Sequence, residues 1–151
     1  MKVFLFTLNA SYIHKSLALR CLKKSVENEG FETVCAEFTV KEKRLHVLER
    51  LSSEKADIYC FSCYIWNISQ VYELARDLKQ VLPETEIWLG GPEVSYDSGR
   101  ILSQEPEIRG IMRGEGELTF SQVAEAYLAA EDRLVAEDPE DRLLARLEGI
   151  L

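Results

Sequence analysis

The sequence predicts an α/β fold: a doubly wound parallel sheet of five strands in the order 2-1-3-4-5. Three observations lead there. Five short segments rich in apolar and β-branched residues alternate with stretches of helical periodicity along the 151 residues. Such alternation builds a parallel sheet covered on both faces through right-handed crossovers. Length and a composition of 46% apolar and 29% charged residues suit one globular domain with a sizeable core. No internal repeat or low-complexity tract interrupts the pattern.

Val3-Phe4-Leu5-Phe6-Thr7-Leu8, stopped by Asn9, reads as a buried first strand. Ser16 is placed to cap a helix whose apolar side is Leu17, Leu19, Cys21, Leu22 and Val26, ending at Gly30. Thr33–Val40 is the second strand, and Leu45, Leu48 and Leu51 mark one face of the helix after it. Ile58–Tyr64 is the third strand. Ile68, Val71, Tyr72, Leu74, Ala75, Leu78 and Val81 give the clearest amphipathic helix, closed by Pro83. Ile87-Trp88-Leu89 forms the fourth strand and runs into Gly90-Gly91-Pro92, with a short helix around Ser98–Gln104. Ile108–Arg113 is a short fifth strand, and Leu118, Phe120, Val123, Ala124, Tyr127 and Leu128 give the last helix. Residues 1–130 therefore read as the domain, and 131–151 as an acidic segment broken by Pro139.

The net charge of −8 argues against a nucleic-acid partner, whose affinity needs clustered Lys and Arg. The acidity is concentrated: residues 105–151 carry 12 acids against 5 bases, while residues 1–104 carry 14 against 13. Four scattered cysteines make no disulfide framework. No run of about 18 apolar residues predicts a membrane span, and the apolar N-terminus meets Asn9 too soon for a signal peptide. A cytoplasmic location is expected.

In an open α/β sheet, ligands bind outside the carboxyl ends of the strands. Four segments follow strands here: Asn9-Ala10-Ser11-Tyr12-Ile13-His14-Lys15-Ser16, Ser62-Cys63-Tyr64-Ile65-Trp66-Asn67, Gly90-Gly91-Pro92-Glu93 and Gly114-Glu115-Gly116-Glu117. Together they are rich in glycine, aromatic and small hydroxyl residues and poor in lysine. Glycines admit backbone close to a ligand, and aromatics offer broad faces with polar tips, so a large, partly flat ligand is expected. The first loop holds no glycine, which disfavours both P-loop and dinucleotide folds.

These residues carry a resemblance. Phe61-Ser62-Cys63-Tyr64-Ile65-Trp66-Asn67, Leu89-Gly90-Gly91-Pro92-Glu93 and Arg113-Gly114-Glu115-Gly116-Glu117 followed by Thr119-Phe120 resemble the N-terminal cobalamin-binding domain of radical S-adenosylmethionine (SAM) enzymes. Within them the nearest likeness is to the anaerobic magnesium-protoporphyrin IX monomethyl ester cyclase group. The resemblance covers about residues 1–130 and implies a flavodoxin-like (Rossmann-like) domain that orients cobalamin. It implies that Asn9, Ala10, Ser11, Tyr12, His14, Lys15, Ser62, Cys63, Tyr64, Trp66, Asn67, Gly90, Gly91, Pro92, Glu93, Gly114, Glu115, Gly116 and Glu117 surround the cofactor. The nucleotide tail would run between Ser62 and Gly90-Gly91, and the corrin would cap the rim.

The family's Gly-Gly-Pro-His turn has Glu93 in place of His, and the Asp-x-His-x-x-Gly cobalt-ligating motif is absent after the first strand. The Cys-x-x-x-Cys-x-x-Cys iron–sulfur motif is also absent. By resemblance, SAM and an iron–sulfur cluster would belong to a barrel domain beyond Leu151, making this chain part of a longer enzyme. That enzyme would act on a small-molecule substrate as a methyltransferase or cyclase, and the chain alone would catalyse nothing.

Each residue also has a plainer reading. His14 could be an axial ligand, a pocket wall or an exposed helix-entry histidine. Gly90-Gly91 could be a turn alone, and Gly114–Glu117 a turn before a helix N-terminus that favours Glu117. Cys60 reads as core, while Cys63 could reach the rim. The rival reading is a flavodoxin-like binding or regulatory module that has lost cobalamin. A phosphate receiver would need an acidic pair after the first strand, where Asn9 stands.

Overall fold

The structure is a computed structural model describing residues 1–13 and 15–134, so the expectations for His14 and for residues 135–151 lie outside the described residues. Its elements are β1 (Lys2–Asn9), α1 (Leu17–Ser25), β2 (Glu32–Thr39), α2 (Arg44–Glu54), β3 (Ile58–Ser62) and α3 (Ile68–Val81). They continue with β4 (Glu86–Gly90), α4 (Pro92–Ser95), α5 (Ser98–Gln104), β5 (Gly110–Met112) and α6 (Gly116–Leu134). The five strands pair in parallel in the order β2-β1-β3-β4-β5, as the sequence predicts.

The unbroken apolar run of β1 is needed because both faces of the sheet are covered. Val3 and Leu5 pack with Leu19 and Val26 from the first helical segment and with Phe120 and Val123 of α6. Phe4, Phe6 and Leu8 pack on the other side with Val47 and Leu51 of α2 and Val71, Leu74 and Leu78 of α3. Successive side chains of a strand point to opposite faces, so a central strand buried on both sides has no polar phase. No helix among the described residues is long and apolar enough to cross a membrane.

Several boundaries differ from expectation. α1 stops at Ser25 rather than Gly30, because buried Val26 leaves helical geometry at φ −119° while its N–H and that of Glu27 cap the Lys23 and Lys24 carbonyls. Gly30, at φ +80°, then turns the chain into β2. β3 ends at Ser62, two residues early, and β5 keeps only Gly110–Met112 of the expected Ile108–Arg113. α4 was not anticipated, and it opens on Pro92 in the first turn, where a missing N–H costs nothing. α6 runs from Gly116 to Leu134, beyond the 118–128 that periodicity marked and past residue 130.

Trp88 anchors the α1/α6 face. Its indole Nε1 donates to Tyr127 Oη at 3.1 Å, and burial pushes the Tyr127 phenol up to about 12. The ring lies over Gly110, where an added Cβ would fall 2.3 Å from Trp88 Cζ3. Gly110→Ala is therefore expected to cost about 1–3 kcal/mol through overpacking, read by urea denaturation; unchanged stability would contradict this packing. Cys60 and Cys63 are both buried, and desolvation raises both thiols well above their ordinary range. Ellman's reagent at neutral pH should leave both unmodified until the protein unfolds. Their modification in the native protein would refute that burial.

Candidate functional site

The carboxyl edge is organised by polar side chains that hold loops rather than face solvent. Asn67, 1% exposed, spends its whole carboxamide there. Nδ2 donates to the Leu8 carbonyl at 3.1 Å and to the Ser62 carbonyl at 3.0 Å, and Oδ1 accepts from Tyr64 N at 2.8 Å. One side chain thus ties the end of β1 to the end of β3, and the turn it enforces ends β3 at Ser62. Trp66 Nε1 donates to the same Leu8 carbonyl at 3.1 Å. Its ring stacks on Tyr64 with centroids 4.5 Å apart and planes 3° from parallel.

The first loop is held from β2. Glu37 Oε2 accepts from Asn9 Nδ2 and from Ser16 N, both at 2.8 Å, so one carboxylate grips both ends of residues 9–16. Between these anchors Tyr12 is 73% exposed and Ile13 88%, both raised from the edge. Ile65, 77% exposed, joins them on the loop after β3.

A cavity of about 190 Å³ opens on the α1/α6 face of this edge. Ala18 and Leu22 line it from α1, and Cys60, Phe61, Ser62 and Tyr64 from β3 and the loop beyond. Gly90, Gly91 and Pro92 contribute from the β4 turn, and Met112, Gly114, Gly116 and Glu117 from β5 and the start of α6. The volume equals about six water molecules, below the roughly 300 Å³ at which drug-sized pockets begin. It suits one ring system of a larger ligand. A groove of about 440 Å³ beside Arg20, Lys23, Lys24, Phe31 and Thr33 contains none of the rim residues.

The two glycines of the turn have different jobs. At Gly91, φ +110°, a Cβ would sit 2.4 Å from the Cys63 carbonyl oxygen and 3.0 Å from Cys63 N. That close approach is made by the chain itself, with Cys63 N donating to the Gly90 carbonyl at 2.7 Å. At Gly90 a Cβ would meet only Met112, at an ordinary contact distance of 3.8 Å, so the fold itself tolerates a side chain there. Ser95 fixes the facing loop: its Oγ donates to the Gly91 carbonyl at 2.8 Å and accepts from Gly114 N at 3.4 Å. Gly114, at φ +72°, turns the chain into α6, whose first turn carries Glu117.

Of the residues singled out from sequence, Ser62, Tyr64, Gly90, Gly91, Pro92, Gly114, Gly116 and Glu117 are brought to one cavity. Asn9, Trp66 and Asn67 are engaged in holding the loops. The Cys63 thiol is withdrawn into the core, where Sγ lies 3.5 Å from the Phe61 carbonyl. Ala10, Tyr12, Lys15, Glu93 and Glu115 are exposed, and Ser11 is half-buried. Sequence reasoning missed Ala18 and Leu22 as walls, although their four-residue spacing puts them on one helix face. It also missed Glu37, a carboxylate set between Ala36 and Phe38 in β2. Among the described residues no three His, Cys, Asp or Glu side chains gather to hold a metal ion.

Asn67→Ala should destabilise by about 2–4 kcal/mol, since it removes three buried hydrogen bonds at once; a loss below half a kcal/mol in urea denaturation would contradict the clamp. Gly91→Ala should be at least as damaging, while Gly90→Ala keeps the native melting temperature. Equal melting of the two variants would refute the division of labour between these glycines.

Residues 5–124 match the B12 binding domain family. Over 73 residues the chain is 29% identical to the cobalamin-dependent radical SAM methyltransferase TokK of Streptomyces tokunonensis, covering 48% of this chain and 11% of that protein. Over 103 residues it is 30% identical to the hopanoid C-3 methylase of Methylococcus capsulatus, covering 67% of this chain and 20% of the methylase. The chain thus spans a tenth to a fifth of these relatives' length. The structure of the radical SAM methyltransferase TsrM from Kitasatospora setae, with cobalamin and a [4Fe-4S] cluster bound, superposes with a TM-score of 0.70 at 18% identity. That alignment covers 85% of this chain and 26% of TsrM, and it shows the shared fold. With the family match spanning most of its length, the chain belongs to the B12-binding domain family.

Proposed function

We propose that this chain binds cobalamin at the carboxyl edge with the nucleotide tail seated in the 190 Å³ cavity, orienting the cofactor for a radical SAM enzyme. The observation that carries the reading is the cavity that Ser62 and Gly90 line at the carboxyl edge, in a domain of this family. The residues present fit the group. The cavity takes one bicyclic base rather than a corrin, and no lysine or arginine lines it. Thr7, opposite Ser62 in the β1–β3 register, holds a buried Oγ1 with no hydrogen-bond partner. A polar ligand group reaching past Ser62 would satisfy it.

In this reading Ser62 and Gly90 receive the tail, and the Tyr64–Trp66 stack and the Glu37-held loop shape the rim beneath the corrin. Tyr12, Ile13 and Ile65 would exclude water from the corrin edge. Cobalamin, when bound, supplies the methyl-transfer or redox chemistry. The protein's own share is orientation and desolvation. A SAM-binding iron–sulfur barrel acting on a small-molecule substrate would complete the enzyme. The relatives' names support methyl transfer, and the motifs of the rim support the oxidative cyclase type as the second reaction class.

Titration with hydroxocobalamin and methylcobalamin, followed by visible spectrum and heat, should give saturable binding and the spectrum of cobalamin with its base released. Unchanged spectra and no heat would contradict the proposal. Gly90→Ala should weaken binding by at least about tenfold, about 1.4 kcal/mol, without loss of stability. Thr7→Val should also weaken binding while leaving stability within about half a kcal/mol, because its hydroxyl has no partner to lose. Native affinity in both variants would place the tail elsewhere.

A further inference from the structure

We infer that the acidic run Glu137-Asp138-Pro139-Glu140-Asp141 of this chain seats in the basic groove between α1 and the start of β2. The groove, of about 440 Å³, is more than twice as large as the cavity at the carboxyl edge, of about 190 Å³. Exposed Arg20, Lys23 and Lys24 stand along it, at a spacing that puts all three on one face of α1. Buried Val26 and half-buried Phe31 and Thr33 complete its lining, with Glu27 as its carboxylate. Lys23 and Lys24 complement the helix dipole in the last turn of α1, but Arg20 lies a turn earlier and gains nothing from it. Elsewhere arginines have carboxylate partners: Arg44 pairs with Glu73, Arg76 with Glu105 and Arg109 with Glu86. The three cations of the groove have no ion pair among the described residues, and like charges at this spacing repel one another. Carboxylates from outside the described residues would relieve them.

Charge and reach name the occupant. Residues 137–141 carry Glu137, Asp138, Glu140 and Asp141, and Arg142 is the first base after them. Exposed ion pairs are weak singly, so a seat needs several at once, which this run and this helix face supply. Leu143 and Leu144 follow and match the apolar part of the lining at Phe31 and Val26. α6 packs beside α1, with Phe120 and Val123 in one cluster with Leu19 and Val26. Both helices follow strands of a parallel sheet, so both run back towards the amino ends of the strands, where β2 begins. From Leu134, the last residue of α6, the stretch to Glu137–Asp141 spans roughly 10–25 Å when extended. Held in the groove, the run fixes the direction in which the chain leaves α6, across α1 towards β2.

The test is carbodiimide coupling of lysines to carboxylates in the whole chain at low concentration, with the joined peptides identified by mass spectrometry in the monomer and dimer fractions. Coupling within the monomer should join residues 137–141 to Lys23 and Lys24 in preference to Lys43 and Lys55, which are exposed at the two ends of α2. Salt at about 1 M, which shortens the range of charge interactions to about 3 Å, should remove that preference. Arg20→Glu leaves both lysines in place and should lower their coupling at least about threefold. Circular dichroism melting confirms that this variant is folded. Coupling spread evenly over Lys43 and Lys55, no coupling at Lys23 and Lys24, or a yield unmoved by both salt and Arg20→Glu would overturn the seat. Coupling confined to the dimer would assign the groove to the acidic run of a second copy and overturn it as well.

Discussion

The carboxyl edge depends on the carboxamide of Asn67. In the order β2-β1-β3-β4-β5 the chain changes direction between β1 and β3, which is where an open sheet parts to receive a ligand. Asn67 spans that parting. It draws the Leu8 and Ser62 carbonyls onto one amide and turns Tyr64 N back onto its own oxygen. The turn releases Tyr64 from the strand direction, lets it stack with Trp66, and brings the Cys63 backbone against Gly91. Gly91 must then lack a side chain, and Gly90 lines the cavity.

Much of this fold was legible from periodicity. The continuous apolar run of β1, the spacing of α3 and the alternation of five strands fixed both the class and the strand order, and the structure bears them out. What periodicity missed was decided by single polar contacts or by steric needs that leave no repeating signal. The end of β3 follows from Asn67, the end of α1 from burying Val26, and the existence of α4 from Pro92 at the turn. β5 is short, its pairing running from Gly110 beneath Trp88 to Met112.

The candidate site was legible as a set of loops but not as a division of roles. Residue type marked Asn67, Trp66, Gly90 and Gly91 alike as ligand-facing, because amides, indoles and glycines serve ligands and backbones equally well. The structure separates them. Asn67 and Trp66 hold carbonyls of the edge itself, Gly91 accommodates Cys63, and Gly90 faces the cavity with Ser62. Glu37 escaped notice for the opposite reason: an exposed acid on an edge strand resembles ordinary surface until its partners at both ends of the first loop are seen.

The edge thus combines a self-bonded floor with a small apolar recess. The central claim is that cobalamin enters on the α1/α6 face at this edge. Amide hydrogen exchange with and without saturating hydroxocobalamin tests it most directly. The account predicts slowed exchange at Ser62–Tyr64, Gly90–Gly91 and Gly114–Glu117, with α2 and the Arg20–Thr33 groove unchanged. Protection centred on that groove or on α2, with the Ser62 and Gly90 segments unaffected, would contradict it.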